Sequence, residues 1–578
     1  MKNLLNLMLL LSVILLGGCS KDILEKKADF QSTKTIKATS VTTDLPISSV
    51  SVSSTYPSWP ASNAIDNNTS TCWSSVLHTS SAGTEYIQFQ FGAASDVNYV
   101  KMTPRYGTNN SGLSFPSNFT IYYYSGSTWV ASKSFTNFVN PQKSTTNLPV
   151  VIPLPVTVHT TGIKIEVTKL GTDGSNYYFQ LAEVAAGYDA GFDHFKWTGN
   201  DNSVQQNRIN NSGSDSFNPT RIFNWTQDDR DPLIVSNNNI INGYPNIYAP
   251  NIVYNGAWNI YYGGWDNGEG QHDRVFVTVS YDNFITFGTH TLVVGNGAWD
   301  HLNNETVLKN PDGSWLMYYT SLPFGSGAKN KPGFATSSDG VNWTPNSGNA
   351  SYLVNMTGYT NWSTANVNGS NVGFLENGIY HLYFNNFTDS ETQRTVHHAV
   401  STDKVNFSYI GDALAESLVA QDVKAFTYNN STYYLMGMHH NNGQELRYSL
   451  SNSLTSFPSS NFLFGNYNAN DLFITSMGFV TNANRLYGII YGAGPNSNLS
   501  QNSLHARWLT KKIIFISDRT NARWGDIEKA HGPNLVVLYM NTDMETGHFY
   551  VYDTDGTTLL YTSPQVTMRS GDVWTYNP

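Results

Sequence analysis

At 578 residues the chain is long enough for several domains. Charged residues supply only 13% of it, aromatics another 13%, and the net charge is −10. This balance excludes nucleic acid and anionic lipid surfaces as partners and suits neutral glycans, which are bound by aromatic stacking and by Asn, Asp and Arg hydrogen bonds.

The N-terminus opens on Met1-Lys2-Asn3, then an apolar run from Leu4 to Leu16, then Gly17-Gly18-Cys19. A run this short reads as an export signal, because a spanning helix needs roughly 20 apolar residues. The string Leu16-Gly17-Gly18-Cys19 resembles a bacterial lipobox, which implies a lipid anchor at Cys19. Ser20-Lys21-Asp22 resembles the tag that sends some Bacteroidetes lipoproteins to the outer face of the outer membrane. The expected molecule is therefore membrane-attached through that lipid and exposed at the cell surface. Residues 1–19 read as the signal and 20–45 as a flexible tether, rich in Lys, Ser and Thr and without periodicity. Cys72 is the only other cysteine, so no disulfide can form within the mature chain.

From 46 to 189, short alternating strands predict a β-sandwich: Tyr86–Phe91, Val97–Met102, Phe119–Tyr123 and Gly162–Val167. Pro60-Ala61-Ser62-Asn63-Ala64-Ile65-Asp66, Thr71-Cys72-Trp73, Val100 to Arg105, and Phe179-Gln180-Leu181-Ala182-Glu183-Val184 resemble, in this order, the coagulation factor 5/8 type C (discoidin-like) domain. That family includes the family 32 carbohydrate-binding modules. The resemblance implies a structural Ca²⁺ held by the side chains of Asp66, Thr71 and Glu183 and the main-chain oxygens of Asn63, Asn68 and Ala182. Calcium takes about six to eight hard oxygen ligands and accepts carbonyls from a tight loop. An Asx-turn at Asp66 needing no metal is the other reading. The resemblance also implies a sugar pocket of Arg105, Asn110 and a loop aromatic, Tyr177, Tyr178 or Phe179. Ser74 follows Trp73 where galactose-binding members carry a His, which leaves the sugar open. Structurally, Arg105 could instead form an ion pair and the aromatics pack a core.

From 195 to 520 one pattern recurs five times at about 50-residue intervals: an apolar strand, an aromatic strand, a third strand, then Ser-x-Asp or a relative, which the fifth copy lacks. The copies begin near Tyr248, Glu305, Val372, Val423 and Ile474. Five four-stranded meanders predict a five-bladed β-propeller. The fold class is thus all-β, a jelly-roll sandwich followed by a propeller. The ring closes through a strand near Asp231-Pro232-Leu233-Ile234, or gains a sixth blade from the strands of the tail, 521–578. The repeats, Ala249-Pro250-Asn251-Ile252-Val253 and Asp300-His301-Leu302-Asn303-Asn304-Glu305 resemble the five-bladed propeller glycosidases of families 43 and 32.

In a meander blade, the start of the inner strand and the loop between the second and third strands open on one face. That mouth collects Asp273, Arg274, Asp300, Glu305, Asn366, Asp389, Arg394, Asp422, His439 and His440, among others. Glycoside hydrolysis needs two carboxyl groups across the scissile bond. The candidates are Asp300 and Asp422, with Asp273 and Glu305 next. Any of them could equally be a turn cap. The Asp-Pro that opens a catalytic inner strand in those families is absent; Asp231-Pro232 lies before the first blade. The expected function is a monomeric surface glycosidase acting on a polysaccharide held by the front module. The alternative is a glycan-binding lipoprotein that does not cut. A polysaccharide lyase using His272, Arg274, His439 or His440 is the third reading.

Overall fold

The computed structural model describes residues 43–105, 112–138, 141, 148–200, 223–236, 246–265, 273–297, 299–325, 327–389, 394–428, 431–440, 445–465, 471–509, 511–525, 529–533, 536–539, 544–553, 556–569 and 572–576. The regular elements among them are strands and three short 3₁₀ turns. None of the described helices is long and apolar enough to cross a membrane. The signal, the lipobox Cys19 and Asn110 lie outside the described residues.

The front sandwich is built on two long strands, Ala82–Pro104 and Val150–Lys169, which pair over most of their length. Alternation does the folding: along Glu85–Phe91 every second side chain is buried. Register breaks between Gln90 and Ser95 and between Val97 and Tyr99 bend the strands. The eight-stranded sheet thereby wraps a core that includes Trp73, Ile87, Phe89, Met102, Ile121 and Ile165.

Five blades follow, each of four strands except the third, whose sheet takes a fifth strand, Asn355–Thr357. Their inner strands are Asn246–Tyr254, Trp299–Lys309, Asn371–Glu376, Val419–Tyr428 and Phe473–Asn482. Each inner strand packs on the next, and the fifth on the first, so the ring is closed with five blades. Trp225–Gln227 closes it, pairing as the fourth strand of blade five with Ser503–Leu509. A bridge from Ile234 to Leu504 continues that seam. Asp228 locks it: its buried carboxylate accepts from Arg230 Nε and from Trp508 Nε1, both at 2.8 Å, and from the Gly532 amide at 3.1 Å.

The Ser-x-Asp repeats are turn caps. Ser337 Oγ accepts from the amides of Asp339 and Gly340, and Asp339 Oδ1 from those of Val341 and Asn342. Ser401 and Asp403 repeat the arrangement in blade three. Such hydrogen bonds hold both aspartates well below the ordinary carboxylate range.

Two expected boundaries move. Phe195–Asn200 pairs with Asp572–Tyr576, and Lys512–Ser517 with Met544–Tyr552, so both ends of the expected 195–520 span belong to the tail. The tail adds no blade. Its two sheets enclose Phe195, Phe515, Phe549, Met568 and Trp574, and that core also takes in Tyr99 and Val151 of the front sandwich. The Val151 amide donates to Thr567 Oγ1 at 2.9 Å, and the Arg569 guanidinium lies 4.6 Å over the Phe138 ring. The front sandwich is therefore packed onto the tail by a shared core, and is not held by a loose linker.

Candidate functional site

In blades one, two, four and five the inner strand carries extra residues against its neighbour. The breaks fall between Tyr248 and Asn251, Asn303 and Thr306, Ala420 and Asp422, and Thr475 and Met477. Ala249, Asn304 and Ser476 at these bulges take positive φ of 53°, 50° and 52°. Non-glycine residues held this way are costly, and such bulges cluster at functional sites. The bulges of blades one, two and four, with the loop before blade three, ring a small central pocket of about 10 Å³, lined by Ala249, Pro250, Asn304, Glu305, Gly369 and Gln421.

Glu305 is the carboxyl of this pocket. It is 3% exposed, and neither of its oxygens has a hydrogen-bond partner. Burial holds its carboxyl well above the ordinary range, and the charge of Asp273 pushes in the same direction. Asp273 lies in the adjoining network: Tyr248 Oη donates to Asp273 Oδ2 at 2.6 Å, and Asn303 Nδ2 donates to both Asp273 and, at 2.7 Å, to Tyr248 Oη. Two of the four expected catalytic residues thus come together. Tyr248 and Asn303, which hold Asp273, were not singled out by sequence; they sit in strands that read as packing.

The other two stand apart. Asp422 is fully buried and ties blades: Oδ2 accepts the Phe479 amide of blade five at 2.8 Å, and Oδ1 faces Lys424 Nζ at 3.2 Å and Asn251 Nδ2 at 3.4 Å. Asn251 has the same role at the next junction, where its Oδ1 accepts the Val307 amide of blade two at 3.0 Å. Both residues are couplings between inner strands, which corrects the catalytic expectation for Asp422. Asp300 occupies a bulge between Trp299 and His301, half-exposed, and does not line the pocket.

Asp231 sits on blade five, bonded with Asp471 to His505. Nδ1 of that imidazole pairs with Asp231 and lies 3.5 Å from Asp471, while Nε2 donates to the Ala493 carbonyl at 3.2 Å. Burial opposes the charged imidazole, but the two carboxylates overcome it and lift His505 above its ordinary value. His439 is also structural. Burial pushes it down to about 3, and its Nδ1 accepts the Ser476 amide at 3.3 Å. Its neighbour His440 pairs with Glu445 at 3.2 Å. His272 lies outside the described residues.

On the front sandwich, Arg105 donates to Asp173 at 2.8 Å and to Gln180 at 2.9 Å. Its guanidinium lies 4.6 Å over the Trp59 ring. Tyr56, 41% exposed, is 6.3 Å from Trp59 and 6.4 Å from Tyr178. Tyr178 is one of the expected aromatics, whereas Tyr56 and Trp59 are what sequence reading missed; the signal was Tyr56-Pro57-Ser58-Trp59, two aromatics in a polar turn. Tyr177 is half-buried against the core. Phe179 is fully buried, edge-on to Trp73 at 5.0 Å, so the expectation that it faces sugar is corrected: it is a core residue. His78 is engaged by Glu85 at 2.7 Å.

The expected calcium ligands converge. The Asn68 amide donates to Asp66 Oδ1 and to Glu183 Oε1, both at 2.8 Å. Thr71 Oγ1 lies 2.7 Å from Asp66 Oδ2 and 2.8 Å from the Asn68 carbonyl oxygen. Asn63 is on the adjacent 3₁₀ turn, and Ala182 on the bulge before Glu183. Burial, and the Asp66 carboxyl bonded to it, push Glu183 up to about 7. Two carboxyls drawn onto one another need a proton or a cation between them, and this oxygen set fits a hard divalent ion.

The F5/8 type C domain family matches residues 49–184. No curated protein matches the chain. Among solved structures, the family 32 carbohydrate-binding module of NanJ from C. perfringens, in complex with galactose, is 23% identical. The match covers 25% of this chain and 98% of that one, with a TM-score of 0.21. The catalytic domain of the Coprinopsis cinerea GH62 α-L-arabinofuranosidase is 16% identical; that match covers 50% and 97%, with a TM-score of 0.38.

Proposed function

We propose that this chain is a carbohydrate-active protein that holds a polysaccharide with its F5/8 type C sandwich and hydrolyses a glycosidic bond at the propeller mouth. The carrying observation is Glu305: a carboxyl in the central pocket, buried, held well above the ordinary carboxylate range, with no hydrogen-bond partner at either oxygen. Buried polar groups left without partners are rare, and protonated carboxyls near neutral pH are what general acid catalysis uses. In this reading Glu305 protonates the departing glycosidic oxygen. Asp273, oriented by Tyr248 and Asn303, is the second carboxyl.

Calcium at Asp66 and Glu183 fastens the loop of the sandwich beneath its sugar face. Arg105, Trp59 and Tyr56 bind the glycan there. The lipid at Cys19 anchors a monomeric protein to the outer membrane, facing outward. Because the sandwich shares a core with the tail, it presents the glycan in a fixed direction relative to the tail.

The test is reducing-sugar release from plant, algal and host polysaccharides, with Ca²⁺ present, beside Glu305→Gln and Asp273→Asn. Loss of general acid catalysis costs about 10²–10⁴-fold, so release falls at least a hundredfold in either variant. One observation favours the non-catalytic alternative: Ala249 and Gln421 stand at bulges equivalent to that of Glu305, leaving one carboxyl in the pocket itself. No release from any glycan that the protein binds would establish that alternative.

A further inference from the structure

Arg394 is used neither by the fold nor by the chemistry above. It stands at the mouth end of blade three, just before the strand Val396–Ser401, and is 6% exposed. Its guanidinium lies 4.0 Å over the Phe387 ring. Its Nε has no hydrogen-bond partner, and no described carboxylate pairs with it. The nearest acidic residue in sequence among those described, Asp389, is turned to His397 at 3.7 Å and to Asn386 at 3.3 Å.

Both neighbours of Arg394 connect to the mouth. Next in sequence, the Thr395 carbonyl accepts from Asn385 Nδ2 at 2.7 Å, and Asn385 Oδ1 accepts the amide of Ala420, a pocket-lining residue, at 3.1 Å. On the other side, the Phe387 amide donates to the Asn366 carbonyl at 2.8 Å. Asn366 Oδ1 accepts from the Asn330 amide at 2.8 Å, and Asn330 Oδ1 bonds His301 Nε2 at 2.7 Å. A hydrogen-bonded track thus runs from the amide of Phe387, whose ring lies against the Arg394 guanidinium, through Asn366 and Asn330 to His301 of blade two.

An arginine cannot shed its charge, and its planar fork matches carboxylate and sulfate oxygens. Burying it unpaired is costly unless an anion arrives to complete it. We propose that Arg394 is the anion-recognition residue of the mouth and that the glycan bound there is acidic, carrying a uronate carboxylate or a sulfate ester. The inference rests on reading the mouth as a glycan site. The net charge of −10 does not oppose it at contact, since long-range repulsion is screened beyond about 8 Å at physiological salt.

The experiment uses the full chain carrying Trp59→Ala, so that the front sandwich contributes little. Binding is measured by calorimetry to polygalacturonate, to a sulfated galactan and to a neutral galactomannan, with and without Arg394→Gln. Arg394→Gln is expected to weaken one acidic glycan at least tenfold, to leave galactomannan unchanged and to leave the melting temperature unchanged. The arm that responds names the oxyanion. Should the glutamine variant fold poorly, Arg394→Lys keeps a charge without the fork, and the same loss is expected. Equal binding of acidic glycans by parent and variant, or an equal loss on galactomannan, overturns the proposal. If acidic binding needs Arg394 but no glycan is cleaved, the hydrolase reading fails and this one stands. If a neutral glycan is cleaved and Arg394→Gln changes nothing, the reverse holds.

Discussion

Asp422 separates a structural carboxylate from a catalytic one, and replacing it gives opposite results for the two roles. Its Oδ2 accepts the Phe479 amide, and its Oδ1 faces Lys424 and Asn251, so one buried side chain spans blades four, five and one. Asp422→Ala strands a buried amide, at about 1–3 kcal/mol. It also leaves Lys424, itself mostly buried, without its carboxylate; breaking a buried pair from one side costs about 3–5 kcal/mol. The two together come to about 4–6 kcal/mol, taking the lower end of the second range because Lys424 keeps some solvent. Asp422→Asn retains an oxygen for Phe479 and should lose only the ion-pair contribution, about 3 kcal/mol. Asn251→Ala strands the Val307 amide and removes the long contact to Asp422, which keeps Phe479 and Lys424, and should lose about 1–3 kcal/mol. The assay is equilibrium urea unfolding of the three variants beside polysaccharide turnover by the fraction that remains folded. The expected order of stability loss is Asp422→Ala, then Asp422→Asn, then Asn251→Ala, with turnover per folded molecule within about twofold of the parent. An Asp422→Asn protein as stable as the parent but inactive would refute the reasoning and return Asp422 to the chemistry.

Three further outcomes follow from the same structure. Chelating calcium should lower the melting temperature of the front sandwich, and Asp66→Ala or Glu183→Gln should abolish the response; an unchanged melting curve in EDTA would remove the ion from this loop. His505 is lifted above its unfolded value near 6.5, so its contribution is complete below that pH and is lost as pH rises through the lifted value. Urea midpoints measured from pH 6 to 9 should therefore converge for the parent and His505→Gln, and a pH-independent gap would show that the charge is not what matters. Gly478→Ala would place a Cβ 2.4 Å from the Pro250 carbonyl oxygen, where blade five meets blade one. Overpacking of this kind costs about 1–3 kcal/mol, so a shift in urea midpoint is expected, and none would mean that the two inner strands can part there.

Strands and blade count were legible in the chain before any contact was known. Period-two alternation dictates which strand face is buried, so Tyr86–Phe91 and Gly162–Val167 read as sandwich strands and five repeats read as five meanders. Ser337, Asp339, Ser401 and Asp403 marked the turns for the same local reason: their oxygens serve amides two or three residues on. Which carboxyl does what was settled by packing between blades. Glu305 lies within the bulge of its inner strand and Asp422 just past the bulge of its own; Asp422 meets an amide of the next blade while Glu305 meets none. That difference depends on how neighbouring blades abut, and partners such as Phe479 lie 57 residues away in the chain. Ring closure by Trp225–Gln227 and the union of Phe195–Asn200 with Asp572–Tyr576 are longer-range still. Phe179 misled because an aromatic beside a turn looks the same whether it faces sugar or Trp73. Local chemistry writes strands and caps into the chain; a site forms only where several blades bring their bulges to one axis.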